Sequence, residues 1–138
     1  MPPMNETLTL QFDGGSRGNP GPAGIGVVVR AQDGTPLVTL GRFIGRATNN
    51  VAEYRALITA MEEAKKLGAK KILIKGDSEL IIKQMKGEYR VKNEALRELS
   101  VEAGRLAREL GNVEYRHVKR AHNELADKLV NDALDAAE

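Results

Sequence analysis

Four acidic residues in this chain have the chemical type and the placement needed to bind divalent metal ions: Asp13, Glu53, Asp77 and Asp127. If they meet in the folded protein, their like charges repel one another, and a bound cation relieves that repulsion. Carboxylate oxygens are hard ligands that suit Mg²⁺ or Mn²⁺. The chemistry that such a cluster predicts is metal-assisted hydrolysis.

Each of these acids also has an ordinary structural explanation. Asp77 precedes Ser78 and can cap a helix, and Asp13 can be the first residue of a glycine-rich turn. Glu53 and Asp127 can be solvated residues on exposed helix faces. The spacing of the four acids leaves these alternatives open, because each explanation needs only local structure.

The first third of the chain has the pattern of three strands joined by tight turns. Residues 7–12 alternate polar and apolar side chains, and residues 13–22 are dense in glycine and proline. Residues 23–31 are rich in β-branched side chains. An Asp-Gly pair at 33–34 is a hairpin signal before a third strand near 36–44. We therefore expect an antiparallel meander.

From Asn50 onward the apolar spacing changes to three and four, which is typical of amphipathic helices. The predicted helices run from Asn50 to a glycine cap at Gly68, from about 79, from about 94 to 109 and from about 123 to 136, and the predicted strands are 71–75 and 113–118. The order β-β-β-α-β-α-α-β-α predicts a mixed sheet covered by helices.

This arrangement places the acids near one another. Asp13 is expected to end the first strand, and Asp77 directly follows the fourth. If these strands pair in parallel, both acids lie at neighbouring strand ends, where α/β sheets favour ligand sites. Glu53 is expected in the first turn of the first long helix, and Asp127 in the first turns of the last.

Composition excludes several other classes of protein. The chain has no cysteine, which excludes disulfides, thiolate metal sites and a cysteine nucleophile. Its net charge of +2 neither requires nor excludes a nucleic-acid partner. No apolar run reaches the roughly 20 residues that span a bilayer, and the N-terminus lacks a secretory signal pattern. We expect one domain over residues 1–138 that is cytoplasmic, monomeric and without a membrane partner.

Four short motifs around the acids are more specific than the acids themselves: F-D-G-G-S-R-G-N-P-G at 12–21, T-N-N-V-A-E at 48–53, G-D-S at 76–78 and N-E-L-A-D at 123–127. In this order and at these separations, they resemble the motifs of the ribonuclease HI family across essentially the whole chain. The resemblance implies the α/β ribonuclease H-like fold, with a five-stranded mixed sheet of order 3-2-1-4-5 and helices on both faces.

The resemblance also implies an activity, which is hydrolysis of the RNA strand of RNA–DNA hybrids to leave 5′-phosphate and 3′-hydroxyl ends. Asp13, Glu53, Asp77 and Asp127 would be the catalytic residues and would bind two Mg²⁺ or Mn²⁺ ions. Asp13 would be the bridging ligand. Because the recognition of duplex shape is partly shared, double-stranded RNA stays open as a weaker partner.

Further residues are assigned to substrate binding by motif match: Gly14, Gly15, Ser16, Asn19, Asn49 and Asn50. The turn residues would contact the RNA strand and its 2′-hydroxyl groups, although the glycines also serve a tight turn. The two adjacent asparagines would bond the nucleic-acid backbone and base edges, with helix capping as the alternative. Glu79 stands where a family member carries a glutamine that contacts RNA.

Two regions depart from the better-known family members. The connection around Gly87 is short, so the chain is expected to lack the basic protrusion that grips the hybrid, although Lys86 can still contact a phosphate. Hybrid affinity should then be weaker and steeply salt-dependent. The loop before the last helix is also shortened. His122 is a candidate proton shuttle there, with a helix-start or surface role as the alternative, and Arg120 is a candidate phosphate contact.

Two other functions compete with this reading. A hybrid-binding module without activity would be expected to lack one or more of the acids, yet all four are present. Another nuclease of the same fold, such as a resolvase or a domain that acts on double-stranded RNA, is the second alternative. The TNN motif and the glycine-rich turn favour RNA–DNA hybrid as the main substrate.

Overall fold

A computed structural model describes residues 6–138 of the chain. Its first three strands form the expected meander: β1 (Thr7–Ser16), β2 (Gly21–Arg30) and β3 (Pro36–Ala47). The turn between β2 and β3 is built as the Asp-Gly pair predicts, because Gly34 has a φ of 91° and the Thr35 N–H donates to Asp33 Oδ1 at 2.9 Å.

The second part of the chain alternates helices and strands in the predicted order: α1 (Asn49–Lys66), β4 (Lys71–Gly76), α2 (Glu79–Met85), α3 (Glu94–Leu110), β5 (Asn112–His117) and α4 (Glu124–Ala137). A short 3₁₀ turn over Arg120–His122 precedes α4, and the apolar spacing did not predict it. Gly68, with a φ of 70°, follows the end of α1 as expected.

The five strands form one mixed sheet in the order β3-β2-β1-β4-β5, which confirms the predicted fold. β1 pairs antiparallel with β2 and parallel with β4, and β4 pairs parallel with β5. Helices lie on both faces. A Cβ added to Gly14 would lie 2.3 Å from the Ala52 carbonyl carbon of α1, and one added to Gly26 would lie 2.1 Å from the Ala126 oxygen of α4.

The main core lies between the sheet and α1, α2 and α3, and it is mostly aliphatic. Tyr54 and Phe12 are its largest fully buried side chains, and the Tyr54 hydroxyl donates to Gln84 Oε1 at 2.7 Å. This bond satisfies the one polar atom that Tyr54 brings into the core. Across residues 6–138, the structure contains no helix long and apolar enough to cross a membrane.

β1 is longer than its alternating pattern predicted, and the turn after it is shorter. Gly14 and Gly15 stay in the strand and pair with Ile25 and Gly24 of β2. Glycine is usually a turn signal, but here it is needed inside the strand because the α1 backbone packs directly on Gly14. The connecting turn is therefore confined to residues 17–20.

Candidate metal and nucleic-acid site

The site forms where the parallel pairing of β1 and β4 stops. The last paired residues are Phe12 and Gly76, so Asp13 and Asp77 follow at the same level of the sheet. Asp13 does not end β1, as the sequence had suggested, because β1 continues alongside β2. It lies where β1 loses its partner on the other side, and this leaves room for side chains at the sheet edge.

Glu53 reaches the same place from α1. The helix begins at Asn49 after Thr48, whose hydroxyl accepts from the Val51 N–H at 3.2 Å, so Thr48 rather than either asparagine is the N-cap. Glu53 therefore lies just past the first turn and not within it. A Cβ on Gly14 would lie 2.5 Å from the Glu53 nitrogen, so only glycine allows α1 this close to β1.

Asp13, Glu53 and Asp77 each offer a carboxylate oxygen, and these three oxygens lie within 4.8 Å of one another. The Asp13 and Glu53 side chains are almost enclosed, with 7% and 5% exposure. Glu53 Oε2 is buried and has no hydrogen-bond partner among the described residues. A buried carboxylate oxygen without a partner, in a residue that adjoins two other carboxylates, is what a hard divalent cation would complete.

Electrostatics in the cluster are unfavourable in the absence of a cation. Burial, followed by the charge of Asp77, raises the pKa of Asp13 to about 8. Burial and the neighbouring Asp13 likewise raise the pKa of Glu53. Burial also raises the pKa of Asp77, although a hydrogen bond from Asn123 and the Arg120 guanidinium oppose this. The arrangement fits a group of ligands for divalent metal.

Asp127 lies beside this trio, at the start of α4. Its Oδ1 accepts from Arg120 Nη2 at 3.1 Å, and its N–H donates to the Asn123 carbonyl at 3.1 Å. The side chain lines the same cavity of about 420 Å³ as the other three acids. The structure thus brings all four predicted acids to one cavity and holds three of them in close contact.

Asn123 is a residue whose role the sequence reasoning missed. Its side chain is fully buried, and Nδ2 donates to the Phe12 carbonyl at 2.9 Å. This bond ties the start of α4 to the strand position directly before Asp13, so it helps to fix Asp127 against the cluster. The only signal in the sequence was its place in the fourth motif, which says nothing about burial.

The glycine-rich turn and the start of α1 form one wall of the cavity. Gly14, Gly15, Ser16 and Asn49 line it, and their role in substrate binding stays a prediction. The Asn49 side-chain oxygen accepts from the Ser16 N–H at 3.2 Å, and Asn19 Oδ1 accepts from the Asn49 N–H at 2.9 Å. These side chains therefore hold the turn against α1, which pre-organises the backbone that faces the cavity.

The remaining predicted contacts lie further out. Asn19 and Asn50 line a second, smaller cavity of about 220 Å³. Glu79 is exposed and pairs with Lys83 at 2.7 Å, and Lys86 is exposed at the end of α2. His122 is exposed in the 3₁₀ turn and does not line the acidic cavity, whereas Arg120 does.

Comparisons with known proteins were consistent over nearly the whole chain. The family described as reverse transcriptase-like matches residues 11–133. The bifunctional protein Rv2228c of Mycobacterium tuberculosis is 50% identical over 131 residues, which are 94% of this chain and 36% of that protein. Ribonuclease HI of Halobacterium salinarum is 48% identical over 126 residues, which are 91% of this chain and 63% of the relative.

Solved structures of RNase H1 proteins are similar to this chain over most of its length. RNase H1 from Halobacterium salinarum has a TM-score of 0.92 at 45% identity, over 94% of this chain and 98% of that chain. LC11-RNase H1 in complex with an RNA/DNA hybrid has a TM-score of 0.90 at 43% identity, with the same coverage of 94% and 98%. The chain thus spans about one third of the first of these curated relatives and less than two thirds of the second.

Proposed function

The chain belongs to the ribonuclease HI family, and we propose that it hydrolyses the RNA strand of RNA–DNA hybrids. The observation that carries this proposal is the trio Asp13, Glu53 and Asp77, with carboxylate oxygens within 4.8 Å of one another in an open cavity. The solved complex of LC11-RNase H1 with an RNA/DNA hybrid supports the substrate class. The expected products carry 5′-phosphate and 3′-hydroxyl ends.

The acids would hold divalent metal, and Mg²⁺ or Mn²⁺ is proposed because the donors are all carboxylate oxygens. Asp13, Glu53 and Asp77 would hold the metal, and Asp127 would complete the site from α4. A bound pair of such ions would supply the activation of the attacking water and the stabilisation of the departing 3′ oxygen.

The chain itself positions the RNA strand. Gly14 and Gly15 line the cavity, and Gly15 lacks a side chain where the cavity wall must approach the substrate closely, between Asn49 and Val130. The bonds among Ser16, Asn19 and Asn49 hold this wall rigid before substrate arrives. Rigid placement of the scissile phosphate over the acids would supply much of the rate enhancement.

Four further residues have proposed roles in or around the acidic cavity. Arg120 lines the cavity and is proposed as a phosphate contact. Lys86 and Glu79 would meet the substrate only beyond the cavity. His122 is proposed as a proton shuttle that acts from the rim, through solvent, because its side chain is exposed. We also propose a monomeric, cytoplasmic protein with weak activity on double-stranded RNA.

A cleavage assay tests the proposal directly. Purified protein is incubated with end-labelled RNA–DNA hybrid, double-stranded RNA and double-stranded DNA, each with Mg²⁺, Mn²⁺ or EDTA. We expect the RNA strand of the hybrid to be cut fastest, double-stranded RNA slowly, and nothing to be cut in EDTA. Absence of metal-dependent cleavage of the hybrid would refute the proposed activity.

A further inference from the structure

Arg17 is a cation in the catalytic cavity that neither the acidic cluster nor the motif comparison explains. It follows Ser16 in the glycine-rich turn, and its side chain lines the same cavity as Asp13 and Asp127. The cavity follows α4 from Asp127 to Leu134, which is about 10 Å at 1.5 Å per residue. This length corresponds to roughly three nucleotide steps of about 3.4 Å.

Arg17 does not point freely into the cavity, because the carboxylates of Asp135 in α4 and of Glu138, the residue that caps α4, hold it. Its Nη2 lies 2.7 Å from Asp135 Oδ1, and its Nη1 lies 2.5 Å from Glu138 Oε1. The three side chains are 36%, 64% and 67% exposed. Ion pairs this exposed are screened by water and contribute little to stability, so a stronger anion can replace them at low cost.

The positions of the two carboxylates are unusual for a helix end. The last turn of α4 contains no basic residue, although the helix dipole favours cations there. Asp135 and Glu138 therefore gain nothing from the helix itself, and their pairing with Arg17 is the interaction that offsets their position. By contrast, the acids at the start of α4, Glu124 and Asp127, agree with the dipole.

We propose that Arg17 binds a phosphate of the RNA strand near the scissile one, and that Asp135 and Glu138 mask it until substrate displaces them. The proposal rests on the hybrid-cleaving function. A guanidinium presents parallel N–H donors that match two phosphate oxygens, so a phosphodiester takes over the pairing that the two carboxylates make. Asp135 and Glu138 then compete with the substrate phosphate for Arg17. The stronger their ion pairs with Arg17 are, the weaker the hybrid binds.

Hybrid binding tests this competition. The affinity for a fluorescent RNA–DNA hybrid is measured by anisotropy in EDTA, where nothing is cut, at several salt concentrations. Removal of the mask in Asp135→Asn/Glu138→Gln should tighten binding at least about threefold. Arg17→Gln should weaken it by about tenfold and lower the salt slope by about 1, as expected for one lost phosphate contact. Arg17→Lys should recover part of the loss.

The decisive variant combines the three substitutions. With Arg17 replaced, removal of Asp135 and Glu138 should no longer tighten binding, because there is no cation to release. Glu62→Gln/Glu98→Gln is the control for a general loss of negative charge, because it removes two exposed acids from α1 and α3. It should change hybrid affinity by less than about twofold.

The alternative is that Asp135 and Glu138 only hold α4 against the glycine-rich turn and have no part in substrate binding. In that case Asp135→Asn/Glu138→Gln would lower the melting temperature and leave affinity unchanged or weaker, and this result would overturn the proposal. Equal tightening in the presence and absence of Arg17 would overturn it as well. The cleavage assay on the unmodified protein stands apart from these comparisons, so failure of the activity and failure of the mask are distinguishable.

Discussion

The acidic cluster and the outer surface of α1 and α3 use the same kind of side chain in opposite ways. On the surface, Glu109 pairs with Lys65 at 2.8 Å and Arg105 at 2.6 Å, and these contacts lower its pKa. In the cavity, Asp13 and Glu53 are buried against another carboxylate, and their pKa values are raised.

This difference shows which acids serve the fold and which oppose it. Surface carboxylates paired with cations are solvated and cost little. Buried carboxylates that repel one another cost stability, and a folded protein keeps them where a ligand or a reaction compensates. Removing a carboxylate from the cluster should therefore lower activity and raise stability. Removing one from the surface should leave activity nearly unchanged and lower stability slightly.

The largest expected effect is on activity in the cluster. Asp13→Asn removes a carboxylate that lies close to both Glu53 and Asp77, so hybrid cleavage should fall by about a thousandfold or more. Glu109→Gln, on the surface, should keep the rate within about twofold. Initial rates on labelled hybrid in Mg²⁺ measure both, and a rate for Asp13→Asn within tenfold of the unmodified protein would contradict the role assigned to Asp13.

Metal binding should stabilise the protein only through the cluster. At a metal concentration of about 100 times its Kd, the unmodified protein should gain about 2.7 kcal/mol of unfolding free energy. Asp13→Asn should gain much less, while Glu109→Gln should behave as the unmodified protein does. Thermal unfolding with Mg²⁺, Mn²⁺ or EDTA measures this. An equal gain in Asp13→Asn would place the metal elsewhere.

In the absence of metal, the cluster should make the protein less stable as pH rises. The pKa of Asp13 moves from 3.8 to about 8 on folding, so the native state holds more protons than the unfolded state between these pH values. The free energy of unfolding therefore falls across that window, and below about pH 4 both states are protonated and the effect disappears.

Asp13→Asn should remove this pH dependence of stability, because asparagine does not titrate. At pH 8 in EDTA, the variant should be more stable than the unmodified protein by about 1–2 kcal/mol, and the difference should shrink toward pH 5. Chemical unfolding at several pH values tests this expectation. A variant that is less stable at pH 8, or a difference that does not change with pH, would show that the repulsion is already relieved in the metal-free protein.

The smallest effect is expected on the surface of α3. Glu109→Gln breaks both of the ion pairs that Glu109 makes, yet the melting temperature should fall by less than about 2 °C because these charges are exposed and screened by salt. Thermal unfolding at low and high salt measures it. A larger loss would mean that surface pairing, and not only the cluster, controls stability.

The element order was predictable because apolar periodicity is a local property of the sequence. The bounds of β1 were not, since Gly14 and Gly15 have the composition of a turn and become strand residues only because β2 pairs with them and α1 packs on them. Thr48 as the N-cap could have been predicted from capping preferences, because threonine directly before the helical pattern is a common start signal.

The site shows the same division. The motif match named Asp13, Glu53, Asp77 and Asp127 because their neighbours in sequence are distinctive. Burial of the amide of Asn123 under Phe12 has no such local signal, since the two residues are 111 positions apart. Likewise, nothing in the glycine-rich turn predicts that Arg17 pairs with Glu138, which lies 121 positions away.

The sequence by itself determined which side chains are present, the elements that carry them and the family they match. Only the tertiary structure decided that three carboxylate oxygens lie within 4.8 Å of one another and that Asp135 of α4 pairs with Arg17. The physical reason is that distance, burial and charge pairing between separate elements depend on how those elements pack, and packing is a property of the whole chain.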